Sequence, residues 1–318
     1  MHRWHKLGRV FGPQDVDAPP WMQSFAQAPC AHVLDDVVRV YFSCRPPPDA
    51  NGQYVSRSAF VELDRADLFR VRRVAAEPIL PLGGTGTFDE FGVYPVSVIR
   101  DGEGWRAYYA GWTRCESVPF NTAIGVATSR DGERFERLGP GPLLGYTPDE
   151  PFVISGPKVR RFGGRWYLFY IAGRVWKRVD GRPEPVYRIR MATSDDGLSW
   201  RRENRDLIAP RIEADEAQAS PDVFESGGRW HMFYSYRGSE RFRGRENGYR
   251  IGYAWSEDLL HWTRDDTRAG IDVSDAGWDS EMISYPHVFE VDGTTYMAYL
   301  GNQVGREGFG LARLEGSL

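Results

Sequence analysis

Cysteine is scarce in this sequence, and the three present, Cys30, Cys44 and Cys115, stand far apart. Their spacing excludes a Cys-x-x-Cys metal knuckle, and an odd count gives no paired disulfide framework, so the thiols are expected to pack as small buried hydrophobes. The six histidines, His2, His5, His32, His231, His261 and His287, show no ligand spacing, so no catalytic zinc, no other metal and no cofactor is expected. An excess of charge of one sign is also missing: 40 basic and 44 acidic residues leave a formal charge of -4, which gives no global footprint for nucleic acid. No apolar run approaches a membrane span, and the N-terminal "MHRWHKLGRVFGPQ" has no stretch long enough for a signal peptide. A soluble cytoplasmic protein with no nucleic-acid and no membrane partner is expected. No amphipathic helix or heptad seam appears, so the sequence names no oligomeric partner.

What is present is a repeat. With 41% hydrophobic and 14% aromatic side chains in 318 residues, there is ample material for a core. Five prolines, Pro29, Pro95, Pro157, Pro221 and Pro286, recur at intervals of 66, 62, 64 and 65 residues. Each is followed 12 or 13 residues later by a tyrosine: Tyr41, Tyr108, Tyr170, Tyr234 and Tyr299. Between them lie segments such as "KVRRFGGRWYLF" and "DVFESGGRWHMF", in which two strand-like runs flank a polar Gly-containing turn, the signature of a tight antiparallel hairpin. A second motif follows in the later half of three units: "IGVATSRDGERF" (124–135), "IRMATSDDGLSW" (189–200) and "IGYAWSEDLLHW" (251–262). It predicts a third strand, a Ser-x-Asp turn and a fourth strand.

Four antiparallel strands per unit of about 64 residues make a propeller blade, and five units make an all-β, five-bladed β-propeller spanning residues 1–318 as a single domain. The chain stops at "GFGLARLEGSL", too early for four strands in the last unit, so the N-terminal "HRWHKLGRVF" is expected to supply the missing outer strand and close the ring. Two separate β-sandwiches are the rival, but the spacing is continuous. "RPPPDANGQ" (45–53) falls inside the first unit as a loop, and "LGGTGTFDEFG" (82–92) lacks the Lys-Ser/Thr of a phosphate loop and precedes a strand, so it connects blades.

Inner strands of a propeller start around one end of the central channel. Ahead of the anchor prolines the units carry Asp89 and Glu90, Glu150, Asp215 and Glu216, and Asp279 with Glu281, while the first unit has "MQSFAQAP" and no acid. A single acid there is commonly a solvated loop residue or a turn cap. Recurrence of a carboxylate in four of five units favours a shared purpose, since like charges gathered in a cleft repel and shift one another's ionisation. Carboxylates in unlike environments are what cleavage of a glycosidic bond uses, one protonated and one ionised. After the second strands come Arg45, Arg114, Arg174 and Arg237, a rim suited to an anionic ligand or, equally, to neutralising the acids. Trp112, Trp176, Tyr94 and Tyr285 are candidates to stack on sugar rings.

With "GGRWYLFY"-type hairpins and acids at the starts of the inner strands, the chain resembles the five-bladed β-propeller glycoside hydrolases, such as families 32, 43, 68, 117 and 130. The resemblance covers the whole chain. It implies a funnel-shaped active site on the axis, with an acid, a base or nucleophile, and a third carboxylate. In families 32 and 43 the key acids stand beside or within two residues of the inner-strand proline. Here the residues directly before proline are Ala28, Tyr94, Gly156, Ser220 and Tyr285, and the first unit offers Gln23, Ser24 and Gln27.

The expected function is therefore cleavage or transfer at a glycosidic bond of an anionic sugar or glycan, by hydrolysis, phosphorolysis or transfer. Asp89, Glu90, Glu150, Asp215, Glu216, Asp279 and Glu281 are the catalytic pool, and Arg45, Tyr94, Trp112, Arg114, Arg174, Arg237 and Tyr285 bind substrate. Asp222, directly after Pro221, is a further candidate axial acid that alternation equally places in blade packing. The alternative is a noncatalytic carbohydrate-binding propeller.

Overall fold

The computed structural model of the chain describes residues 2–316. The chain opens with β1 (Trp4–Phe11), then lays down four sheets in sequence. β2 (Ser24–Val33), β3 (Val37–Arg45), β4 (Arg57–Asp64) and β5 (Val71–Val74) form the first; β6 (Gly92–Asp101), β7 (Gly104–Arg114), β8 (Phe120–Ser129) and β9 (Glu136–Arg137) the second. β10 (Ser155–Phe162), β11 (Arg165–Val179), β12 (Arg182–Ser194) and β13 (Arg201–Arg202) form the third; β14 (Ala217–Ser226), β15 (Arg229–Arg237), β16 (Arg250–Ser256) and β17 (Trp262–Arg264) the fourth. The fifth holds β18 (Ser284–Val291), β19 (Thr294–Leu300) and β20 (Phe309–Leu314), completed at its outer edge by β1 pairing antiparallel with β20. The five first strands touch in cyclic order, β2 to β6, β10, β14, β18 and back to β2, which closes the ring about an axis.

The expectation of five four-stranded blades with the N-terminal strand as the closing edge is met. The physical reason is the edge: β20 alone would present an unpaired ladder, and β1 covers it.

The anchor prolines explain a shared irregularity. Each inner strand carries one extra residue against its partner at the proline, between Gln27 and Cys30, Val93 and Val96, Ser155 and Lys158, Ala219 and Asp222, and Ser284 and His287. Proline has no N–H to give the ladder, so it is accommodated at a bulge. The preceding residue takes a left-handed conformation in four blades, Ala28 (φ 52°), Gly156 (φ 60°), Ser220 (φ 49°) and Tyr285 (φ 54°), and in the other the Tyr94–Pro95 peptide is cis. Three of those four carry side chains in a region that L-residues avoid, a cost that the surrounding sheets must hold in place.

The Ser-x-Asp turns recur as local hydrogen-bonded units. Ser129, Ser194 and Ser256 donate to Asp131, Asp196 and Asp258 at 2.8, 2.9 and 3.1 Å. Each aspartate also accepts two backbone N–H groups of its own turn. Neighbouring blades are stitched to these turns: the hydroxyls of Tyr41 and Tyr108 donate to the carbonyls of Gly132 and Gly197 at 2.6 and 2.7 Å. Between sheets the filling is apolar and aromatic, with Phe11, Phe42, Phe60, Trp105 and Phe309 in one cluster. Among the described residues, no helix is long and apolar enough to cross a membrane.

Candidate active site

The repeated acids are held inside the blades. Asp89 accepts from the Tyr109 hydroxyl at 3.0 Å on β7 and from Arg137 Nε at 2.7 Å on β9. Glu150 accepts from Tyr170 at 2.7 Å on β11, from Arg190 Nη1 at 3.1 Å on β12, and from Arg202 on β13. Asp279 accepts from Tyr299 at 3.1 Å on β19 and from Lys6 at 2.7 Å on β1. In the fourth blade the clasp is doubled: Arg264 on β17 donates to Glu216 at 2.7 Å and to Asp266 at 2.7 Å, and Asp266 accepts from Tyr234.

One rule therefore covers four blades. A carboxylate ahead of the inner strand is tied to a tyrosine of the second strand and a cation of the fourth, directly or through Asp266. All four carboxylates are buried. Burial alone would raise the Glu216 carboxyl, yet Arg264 beside it holds it below the usual carboxylate range. Of the remaining acids, Glu90 accepts from the Gly86 amide at 2.9 Å, Asp215 pairs with Lys177 at 3.4 Å, and Glu281 is exposed. Asp222 lies between the inner strands of the two neighbouring blades, β10 and β18, on the axial side of its own strand. Although fully buried, it is held far below the usual range by Arg160 and His287, and it accepts the Val288 amide at 2.7 Å.

The axial cavity, about 290 Å3, is built by other residues. The inner-strand bulges turn Tyr94, Gly156, Ser220 and Tyr285 into it. The second strands add Arg45 at the end of β3, Trp112 on β7 and Arg237 at the end of β15. Tyr187 on β12 and Tyr249, just before β16, complete the wall. Glu184 is the one carboxylate among the described residues that line it, brought in by the long β11–β12 hairpin and paired with Arg243 Nη1 at 2.7 Å. A groove of about 470 Å3 continues from the cavity and shares Arg45, Trp112, Phe120, Glu184, Pro185 and Arg243 with it.

Arg45 is the electrostatic peculiarity. Its guanidinium lies 4.6 Å from the Phe25 ring centre, 5.1 Å from Tyr54 and 5.8 Å from Tyr94. Its Nε is buried without an acceptor, and among the described residues no carboxylate lies within ion-pair distance of it. Burial lowers its pKa from the ordinary arginine value, the mark of a desolvated cation. Arg237 also has no carboxylate partner among the described residues, but its Nη1 and Nη2 donate to the carbonyls of Gly238 and Pro185 at 2.8 and 2.9 Å, and its guanidinium covers the Phe242 ring at 3.6 Å.

Thus the fold brings five of the seven expected substrate-binding residues, Arg45, Tyr94, Trp112, Arg237 and Tyr285, to the cavity. Arg114 lines the adjoining groove, where it pairs with Asp49 at 2.9 Å, while Arg174 is exposed and lines neither. None of the seven expected catalytic acids lines the cavity. Sequence reasoning missed Glu184, Tyr187 and Tyr249. A signal existed for the two tyrosines, since Tyr187-Arg188 and Tyr249-Arg250 repeat one dipeptide at the approach to the third strand.

No protein-family model matches the chain. It is 37% identical to the uncharacterized protein Rv1502 of Mycobacterium tuberculosis (strain ATCC 25618 / H37Rv), over 98% of this chain and 99% of that one. A beta-1,2-mannobiose phosphorylase of Thermoanaerobacter sp. (strain X514) is 27% identical over 46% of this chain and 50% of its own. Among solved structures, one described as a glycoside hydrolase superposes with a TM-score of 0.74 at 17% identity, over 99% of this chain and 92% of that one, a likeness of fold.

Proposed function

On the premise that the chain belongs to one family with Rv1502 and itself has the five-bladed β-propeller fold of glycoside hydrolases, we propose that its axial cavity binds an anionic sugar and that cleavage or transfer at a glycosidic bond takes place there. The propeller fold shared with glycoside hydrolases and phosphorylases supports a glycan-active enzyme. The anionic preference rests on one observation, the unpaired Arg45 guanidinium. A half-buried cation without a counter-ion is costly, and a carboxylate or phosphate of the ligand would complete the site. Phe25, Tyr54 and Tyr94 around it reduce its exposure to water and would strengthen that pairing.

Acid/base work in this reading passes from the recurrent acids to Glu184, the carboxylate at the cavity wall. Asp89, Glu150, Glu216 and Asp279 hold the blades that shape the cavity. Trp112 and Tyr94, whose rings lie 5.7 Å apart, offer stacking surface where cavity and groove meet.

Calorimetric titration with glucuronate, galacturonate, mannose 1-phosphate and their neutral parent sugars tests the reading. Anionic ligands should bind wild type and lose most of their affinity for Arg45→Gln. Equal binding of neutral and anionic sugars, or indifference to Arg45→Gln, would remove the anionic preference. A noncatalytic sugar-binding propeller is the second reading, favoured by the single carboxylate among the described residues of the cavity. Saturable binding with no turnover of glycosides, in water or in phosphate buffer, would select it.

A further inference from the structure

Breaking a glycosidic bond by acid/base catalysis takes two groups, one that gives a proton to the leaving oxygen and one that activates the attacking hydroxyl. The described residues of the cavity supply one carboxylate, so the second group must be of another kind. Four tyrosines stand there in two pairs. Tyr94 donates to the Tyr285 hydroxyl at 3.2 Å, and the Tyr187 and Tyr249 hydroxyls share a hydrogen bond.

A count of protons separates these pairs from passive packing. Each pair contains two O–H donors and spends one inside the pair, and the second finds no acceptor among the described residues. The Tyr187–Tyr249 pair has a further feature. Arg237 Nη2 approaches the Tyr187 oxygen at 3.5 Å, and its guanidinium lies 5.4 Å from the Tyr187 ring and 5.5 Å from the Tyr249 ring. With Tyr249 donating to Tyr187, the Tyr187 oxygen receives two stabilising donors and its own proton is the one left over. Tyr249 is the more buried of the two, at 3% exposure against 8% for Tyr187. Burial and its phenol neighbour hold Tyr249 well above the usual phenol range, so it remains a donor at neutral pH.

Resting on the glycosidic reading above, we propose that Tyr187 is the proton donor of the reaction, with Tyr249 and Arg237 stabilising the phenolate it becomes and Glu184 activating the acceptor. The anomeric C–O bond breaks with its electron pair moving to the leaving oxygen, which takes the Tyr187 proton. The acceptor, water or another hydroxyl compound, forms the new C–O bond and gives its proton to Glu184. That proton returns to the Tyr187 phenolate through solvent, restoring both groups. Tyr249 and Arg237 are positioning residues in this scheme, because they act through the Tyr187 oxygen.

Leaving-group dependence tests it. Methyl and 2,4-dinitrophenyl glycosides of glucuronic acid, galacturonic acid and mannose are offered to wild type, Tyr187→Phe and Tyr249→Phe. The dinitrophenolate leaves without a proton, whereas an alkoxide does not. Tyr187→Phe should lose about 10²- to 10⁴-fold in kcat on the methyl glycoside and less than about 10-fold on the dinitrophenyl glycoside. Tyr249→Phe should show the same pattern more weakly, and both variants should keep the wild-type circular dichroism spectrum. Equal losses on both leaving groups, or full activity of Tyr187→Phe, overturns the proton-donor assignment while leaving the glycosidic reading intact. Sugar binding by wild type without turnover of any member overturns the glycosidic reading and this proposal with it.

Discussion

Lys6 Nζ donates to Asp279 Oδ2 at 2.7 Å, joining residues 273 positions apart in the chain. In the other three clasped blades the cation comes from that blade's own fourth strand, Arg137, Arg202 or Arg264. In the fifth it comes from the far end of the chain, because the fifth blade borrows its fourth strand. The same clasp that stiffens a blade therefore locks the ring.

Lys6→Met should destabilise the fold by about 2–4 kcal/mol, since it leaves the buried Asp279 carboxylate with the Tyr299 hydroxyl but no cation. The double variant Lys6→Met/Asp279→Asn should recover part of the loss, a coupling readable by urea denaturation in a double-mutant cycle. Strict additivity would mean the pair does not act as a lock.

Glu150→Gln should cost about 2–4 kcal/mol while leaving kcat per folded molecule within a few-fold of wild type, because its partners Tyr170, Arg190 and Arg202 belong to its own blade. Denaturation curves paired with kinetics separate the outcomes. An unaltered midpoint with abolished turnover would return Glu150 to the catalytic pool.

Binding of an anionic sugar should raise the thermal midpoint of wild type in proportion to the logarithm of ligand concentration, and should do so far less in Arg45→Gln. Without ligand, Arg45→Gln should be no less stable than wild type, because the substitution removes an unpaired desolvated charge. Scanning fluorimetry reads both.

Acid should weaken the fold at its N-terminus. Burial, together with Arg268 and His231, pulls the His2 imidazole down to about 4 from an ordinary 6.5, and its ring packs 4.6 Å from Tyr253 and 5.6 Å from Phe233. Unfolded His2 gains a proton as pH falls through 6.5 while native His2 does not until about 4, so stability is full above that window and declines within it. The decline should be on the order of 1–2 kcal/mol, below the full linkage value because solvent partly screens the ring. Burial also holds His231 low, so His2→Phe should remove only part of the slope when stability is followed from pH 7 to pH 4.

The five units were legible because their signals are local. A proline that breaks the ladder, a Gly-containing turn and a strand alternation each act within a dozen residues, and the spacing of prolines then counts the blades. The tyrosine offset of 12 or 13 residues was less uniform than it looked. Tyr41 and Tyr108 reach the turns of the next blade, whereas Tyr170, Tyr234 and Tyr299 bond acids of their own blade, and Tyr109 takes that role in the second blade.

Glu150 shows where local reading stops. Its place ahead of an inner strand is written in the sequence, but its cation, Arg202, stands 52 residues on. Asp89 and Arg137 are 48 residues apart. A carboxylate's role is set by what surrounds it, and only the folding of each blade back on itself decided that these acids would be neutralised within the sheet.

The sequence by itself thus determined the all-β repeat, the five blades and the borrowed closing strand, because hydrogen-bond ladders and turns obey short-range rules. Tertiary structure alone decided that Arg45 would stand unpaired, that Tyr187 and Tyr249 would meet from different blades, and that Glu184 would be the carboxylate of the cavity. Those relations arise where separate blades converge on one axis, and charge and proton accounts close only between groups that the fold has brought within a few ångströms of each other.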